Sequence, residues 1–127
     1  MFLMKYNSSG TRQWSRMLGS SEDNYGNGVA LDSSNNIYVT GYTEDGLDGN
    51  SSAGEGDIFL VKYNSSGTKQ WTVQHGTSAN DYGKKIAIDA NDYIYILADG
   101  YGGIDGNTNA GSADIYLLKY NSSGVKQ

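Results

Sequence analysis

The chain has 127 residues, a formal net charge of −5, 18 Gly and 11 Tyr, and neither Pro nor Cys. Without cysteine it has no disulfide framework, thiolate metal site or thiol nucleophile. No basic run exceeds Lys84-Lys85, so the electrostatic footprint for nucleic acid is missing, and no apolar run is long enough for a membrane-spanning helix.

Residues 2–7 (FLMKYN) and 11–18 (TRQWSRML) read as a pair of strands joined by Asn7-Ser8-Ser9-Gly10. The start, Met1 to Lys5, lacks a basic stretch before its apolar residues and is too short for a secretory leader. It is expected to be a strand. Strands follow at 25–32 and 36–43, joined by Asp32-Ser33-Ser34-Asn35, and then a loop at 44–57 rich in Gly, Asn and Asp. The segment 58–64 (IFLVKYN) is apolar on both alternating faces, the pattern of a strand covered on both sides. The segment 68–75 (TKQWTVQH) is more polar, with Trp71 and Val73 on one face, as in an outer strand. Strands at 82–89 and 92–99, a second loop at 101–114 and a strand at 115–121 complete the chain. No window has a helical period, so the expected class is all-β.

These elements repeat. Lys5-Tyr6-Asn7-Ser8-Ser9-Gly10 returns at 62–67 and at 119–124, each time after 57 residues. Residues 1–57 align with 58–114 without a gap, and 26 of the positions are identical. A fixed period of this size marks a repeat architecture, whose units bury their apolar faces against neighbours. Asn-Ser-Ser-Gly suits a type I turn with Gly in the left-handed region, closing a tight hairpin. In the second hairpin Asn35 and Asp92 are expected in that region, which these residue types tolerate.

Four antiparallel strands per period, doubly buried centrally and more polar at one end, describe a β-propeller blade. The stretches GVALDSSNNIYVTGYT, DGLDGNSSAGEGDIFLVKYNSSGTKQW and GIDGNTNAGSADIYLLKYNSSG resemble the SBBP repeat, the beta-propeller repeat of bacterial, often surface or exported, proteins. The resemblance implies that GVALD is the innermost strand of a blade, with NIYVTG, IFLVKYN and KQWT following outward. It also implies an extracellular or cell-surface setting. On this reading residues 1–127 are one repeat domain. Within it, 1–18 form the outer strand pair of one blade, 25–75 a complete blade and 82–121 three strands of a further blade.

Such a chain has about two blades, and its two end faces are expected to be apolar and open. Burying several hundred Å² of such surface contributes on the order of 10 kcal/mol, comparable to the net stability of a domain. The expected partners are therefore copies of the chain itself, packed head to tail into a closed ring. Three copies would give six blades and four would give eight. The alternative is a fragment of a larger secreted propeller with lectin-like or enzymatic activity at its central channel.

For chemistry, Asp45, Asp48, Asn50 and Asp57 in the first loop, and Asp105, Asn107 and Asp114 in the second, are oxygen ligands of the type calcium prefers. Neither loop has the EF-hand spacing, and turn capping explains the same residues. No cofactor is expected, with calcium as the alternative. Tyr25, Tyr42, Tyr82 and Tyr101, near the loops, are the candidates for stacking a glycan, and a protein ligand is the other option. Trp14 and Trp71 recur at one phase and are expected to pack between blades. The single histidine, His75, aligns with Leu18 and is expected to face solvent. No nucleophile and base can be paired, so the chain is expected to be a non-enzymatic module with a structural or binding role. Lys5, Lys62 and Lys119, in the middle of apolar strands, should either reach the blade end past their stems or pair with Asp32 and Asp89.

Overall fold

The computed structural model describes all residues 1–127. Nine strands form three antiparallel sheets, and the only other regular element is a short 3₁₀ turn, Ile104–Gly106. The first sheet pairs β1 (Phe2–Tyr6) with β2 (Arg12–Met17). The second has the order β3 (Asn24–Leu31), β4 (Ile37–Thr43), β5 (Asp57–Tyr63), β6 (Lys69–His75). The third has β7 (Asp81–Ile88), β8 (Ile94–Gly100) and β9 (Asp114–Tyr120). Sequential strands are neighbours in every sheet, the meander of a propeller blade.

The hairpins follow from their turn residues. Gly10, Gly67 and Gly124 have φ of 78°, 79° and 82°, and Asn35 and Asp92 have φ of 60° and 61°. In the Asn-Ser-Ser-Gly turns the Asn side chain accepts two backbone N–H groups, for Asn64 those of Ser66 at 3.1 Å and Thr68 at 2.8 Å. Asp32 and Asp89 do the same in the other hairpin, Asp89 taking the N–H groups of Asn91 and Tyr93, both at 2.9 Å. That bonding holds residues 89–93 in the turn, so β8 begins at Ile94 rather than at residue 92.

Two cores lie between the sheets. Tyr38, Ile58 and Leu60 on the forward side of the four-stranded blade meet Ile94, Ile96, Ala98, Tyr116, Leu118 and Tyr120 on the rear side of the three-stranded one. Ile37, Val39, Phe59, Val61 and Tyr63 on the rear side meet Met1, Leu3 and Trp14 of the first sheet. The period-2 alternation of β5 thus feeds one core with Ile58 and Leu60 and the other with Phe59, Val61 and Tyr63. Trp14 and Trp71 pack between blades: a Cβ on Gly67 would lie 2.8 Å from the Trp14 ring, and one on Gly124 would lie 3.2 Å from the Trp71 ring.

The central-strand lysines act across blades. Lys5 donates to the Ser65 carbonyl at 2.9 Å, and Lys62 donates to the Ser122 carbonyl at 3.0 Å. Each ammonium therefore clasps the outer hairpin of the next blade. Lys62 also stands 4.0 Å from Asp32, whereas Lys119 has no hairpin ahead of it and lies over Tyr93 at 4.0 Å.

Candidate functional site

The starts of β3 and β7 and the ends of β4 and β8 come together at the edge of the blades from which the long loops leave. In β3–β4, Tyr25 is the cross-strand partner of Tyr42, and two pairs further out the Glu44 N–H bonds the Asp23 carbonyl at 3.1 Å. Strand alternation puts Asp23, Tyr25, Tyr42 and Glu44 on one face of the sheet. Tyr25 and Tyr42 stack with centroids 4.7 Å apart and planes 17° apart. Tyr42 then meets the edge of Tyr82 across the blade boundary at 4.6 Å. Tyr101 extends the row in the third sheet, its N–H bonded to the Asn80 carbonyl at 3.0 Å. Tyr25, Tyr42 and Tyr82 thus form one ridge over two blades, with Tyr101 further along the third sheet; Tyr25 is 44% and Tyr101 50% exposed.

The ridge is lined with charge. The Tyr25 hydroxyl donates to Asp23 at 3.0 Å, and this bond, with the Asp23 charge behind it, pushes the Tyr25 hydroxyl above its ordinary pKa. Tyr82 is raised chiefly by burial, with smaller contributions from Tyr42, Tyr101, Glu44 and Asp99. The Lys84 ammonium lies 4.7 Å over the Tyr82 ring and 3.2 Å from Asp99. Asp23, Glu44, Lys84 and Asp99 did not stand out in the sequence as ridge residues. Their signal is divergence between the copies: every position from 39 to 45 differs from its equivalent at 96 to 102, Asp23 stands against Asn80 and Lys84 against Asn27.

The acidic loop residues are not brought together. Asp45 accepts from Gly46 N–H at 2.7 Å and Ser21 at 2.9 Å, which together hold its carboxyl below the usual range. Asp48 pairs with Lys69 and accepts from Thr72, and these outweigh its burial to lower its pKa. Asp105, the equivalent residue, pairs with Lys126, the main cause of its lowered pKa. Asn50 and Asn107 donate to the Leu47 and Ile104 carbonyls at 2.7 and 3.0 Å, closing the loops over two buried apolar residues. Asp57 and Asp114 accept the N–H groups of Ala53 and Ala110, both at 2.7 Å. No three His, Cys, Asp or Glu side chains converge as a metal cluster. His75 is half-buried rather than facing solvent: its Nε2 is 3.1 Å from Asp105, which the loop folds back over the strand.

The blade faces form the second candidate surface. Ile58 and Leu60, both 1% exposed, are covered by the following blade, but their equivalents Ile115 and Leu117 are 79% and 69% exposed. Phe59 and Val61, both 0% exposed, are covered by the preceding sheet, but their equivalents Phe2 and Met4 are 57% and 44% exposed. Val29 and Leu31, on the same rear side, are open as well. The two free faces therefore carry, at β1 and β9, positions that are covered inside the chain.

A four-stranded antiparallel sheet packed face to face between a two-stranded and a three-stranded one has the arrangement of successive β-propeller blades. The SBBP family, described as Beta-propeller repeat, matches residues 13–48. It is similar over 98% of its length to Regulatory protein FlaEY of Caulobacter vibrioides, at 26% identity, covering 14% of that protein. It is similar over 76% of its length to an uncharacterized WD repeat-containing protein of Acanthamoeba polyphaga mimivirus, at 27% identity, covering 8% of it. The chain thus spans a small part of the curated relatives it matches.

Proposed function

We propose that the chain is a non-enzymatic propeller module with a structural and binding role, completed head to tail into a closed ring by further copies of itself. The observation that carries this reading is the pair of free faces. Ile115 and Leu117 have the place in the repeat that Ile58 and Leu60 have inside the chain, and Phe2 and Met4 that of Phe59 and Val61. A second copy would offer Ile115 and Leu117 part of the surface their equivalents pack on, with Phe2 and Met4 in the place of Tyr116 and Leu118 but without a counterpart of β8. The clasp supports the same reading: Lys5–Ser65 and Lys62–Ser122 leave Lys119 without a hairpin and Ser8 without a lysine. Heterologous contacts of this kind close into rings when the rotation permits.

The tyrosine ridge is the surface on which such a module takes a protein or glycan ligand, since exposed aromatic faces suit amphipathic partners. The reading requires neither catalysis nor a cofactor, and a relative named as a regulatory protein is in keeping with binding. Leu117→Glu tests the assembly. The side chain is exposed in the single chain, so the variant should fold as the parent does but sediment as one chain where the parent sediments as several. A variant that assembles like the parent would overturn the proposed face.

A further inference from the structure

We propose that the Tyr42–Tyr82 contact of the ridge is a pH-sensitive joint, closed when the buried Asp81 carboxyl carries a proton and loosened when it does not. The inference rests on the reading of the ridge as the ligand surface, but its test reads the ridge alone. It starts from a difference between the two copies at one buried place.

In the four-stranded blade that place is held by Asn24, a neutral amide whose oxygen accepts from the hydroxyl of its cross-strand partner Thr43 at 2.9 Å. In the third sheet the equivalent pair is Asp81 and Gly100. A charge has entered and the donor has gone. Asp81 is fully buried, and Thr77 donates its N–H and its hydroxyl to one carboxylate oxygen at 2.6 and 2.8 Å. The other oxygen faces Gly100 without a partner. No lysine or arginine pairs with Asp81, whereas Asp32, Asp48, Asp99 and Asp105 all have one. Several groups surround it. Asp57, at the start of β5, is also fully buried with one unpartnered oxygen. Tyr116 comes from β9, and Asp114 flanks Gly100 on its far side. His75 of β6 is the one neighbour that can carry a positive charge. Burial, and after it the Asp57 charge, push the Asp81 carboxyl above its ordinary range against the two Thr77 bonds. An ionised carboxylate with an orphan oxygen in such a place is costly unless water reaches it.

The way in is the connector 76–80, where Ser78 is exposed. That connector leads directly into the joint. The Asp81 N–H donates to the Gly56 carbonyl across the blade boundary at 2.7 Å. Gly56 packs on the Tyr42 ring, where a Cβ would lie 3.8 Å away, and Tyr82, next in the chain after Asp81, meets the Tyr42 ring at 4.6 Å. Hydrating Asp81 therefore loosens the backbone bond beside which the two rings touch. The closed joint is favoured below the raised Asp81 value and is lost as pH rises through it.

The experiment follows the nuclear Overhauser contact between the Tyr42 and Tyr82 rings by NMR, in the full chain with labelled tyrosine, from about pH 3.5 to about pH 8. The contact should be strong in acid and fall to about half or less as Asp81 ionises. Asp81→Asn restores the amide of the other blade, so it should fold and hold the contact across the whole range. His75→Gln should keep the transition, which separates it from titration of the histidine. A contact that does not change with pH, a transition that survives in Asp81→Asn, or one that disappears in His75→Gln would overturn the inference. None of these results depends on a ligand, so a ridge that binds nothing would overturn the binding role and leave the joint standing.

Discussion

Replacing Lys62 with Met isolates the clasp between neighbouring blades. The Lys62 ammonium donates to the Ser122 carbonyl at 3.0 Å, stands 4.0 Å from Asp32 and lies 5.1 Å from the Tyr38 ring centre. Methionine keeps most of the apolar stem and removes the charge. A hydrogen bond from a charged donor contributes about 1.5–3 kcal/mol net. Relief from burying an ammonium that is only 14% exposed offsets part of this loss. Asp32 is not stranded, because it keeps the Ser34 and Asn36 N–H groups, the Asn36 amide and the Tyr38 hydroxyl. The expected loss is about 1–2 kcal/mol, or roughly 3–8 °C in Tm for a chain of this length. Lys119→Met is the control. That ammonium rests on Tyr93 and Tyr95 at 4.0 and 5.4 Å without a hairpin to clasp, so about 0.5–1 kcal/mol is at stake. Both variants are melted in a Leu117→Glu background, which keeps assembly out of the comparison. If Lys62→Met melts within about 1 °C of its parent, or if Lys119→Met costs as much, the clasp does not stabilise the stack.

Two buried carboxylates should give opposite pH signatures. Asp81 is raised by burial, with Asp57 adding to it against the bonds from Thr77, and one of its oxygens has no partner. Its favourable contribution is present below the ordinary carboxylate range and is lost as pH rises through the raised value. Asp81→Asn should therefore gain about 1 kcal/mol at neutral pH and nothing below about pH 3.5, read from urea midpoints; a loss at neutral pH would refute this. Burial would raise Asp32 too, but the donors from Asn36, Tyr38 and Ser34 win and lower it. Its contribution is present above the ordinary range and is lost as pH falls through the lowered value, so Asp32→Asn should flatten the acid limb of the same profile. Gly67→Ala should cost about 1–2 kcal/mol more than Gly10→Ala. Both glycines have positive φ, but only Gly67 lies under a tryptophan ring; equal losses in denaturation would contradict the packing role of Trp14.

The scaffold was legible in the sequence because it is written more than once. The Asn-Ser-Ser-Gly hairpins, the left-handed Asn35 and Asp92 and the inter-blade tryptophans all follow from residue types recurring at one phase. The double apolar alternation of 58–64 announced a strand buried on both sides, and β5 feeds both cores. The ridge was only half legible. Its tyrosines stood out as aromatics near loops, but their contact depends on Tyr25 and Tyr42 being cross-strand partners and on how adjacent blades meet. Asp23, Glu44 and Lys84 lie where the copies diverge, so the repeat could not point to them. Turn capping was legible in the runs of Asp and Asn, but not that lysines take some of these side chains, as Lys69 takes Asp48.

The central claim is that Phe2 and Met4 on one side, and Ile115 and Leu117 on the other, are two halves of one interface between copies. Light-scattering mass of the unmodified chain at micromolar concentration, measured as it leaves a sizing column, tests this most directly. The account predicts a discrete closed particle of several chains, each adding its three stacked sheets. A well-folded single chain at that concentration would contradict it.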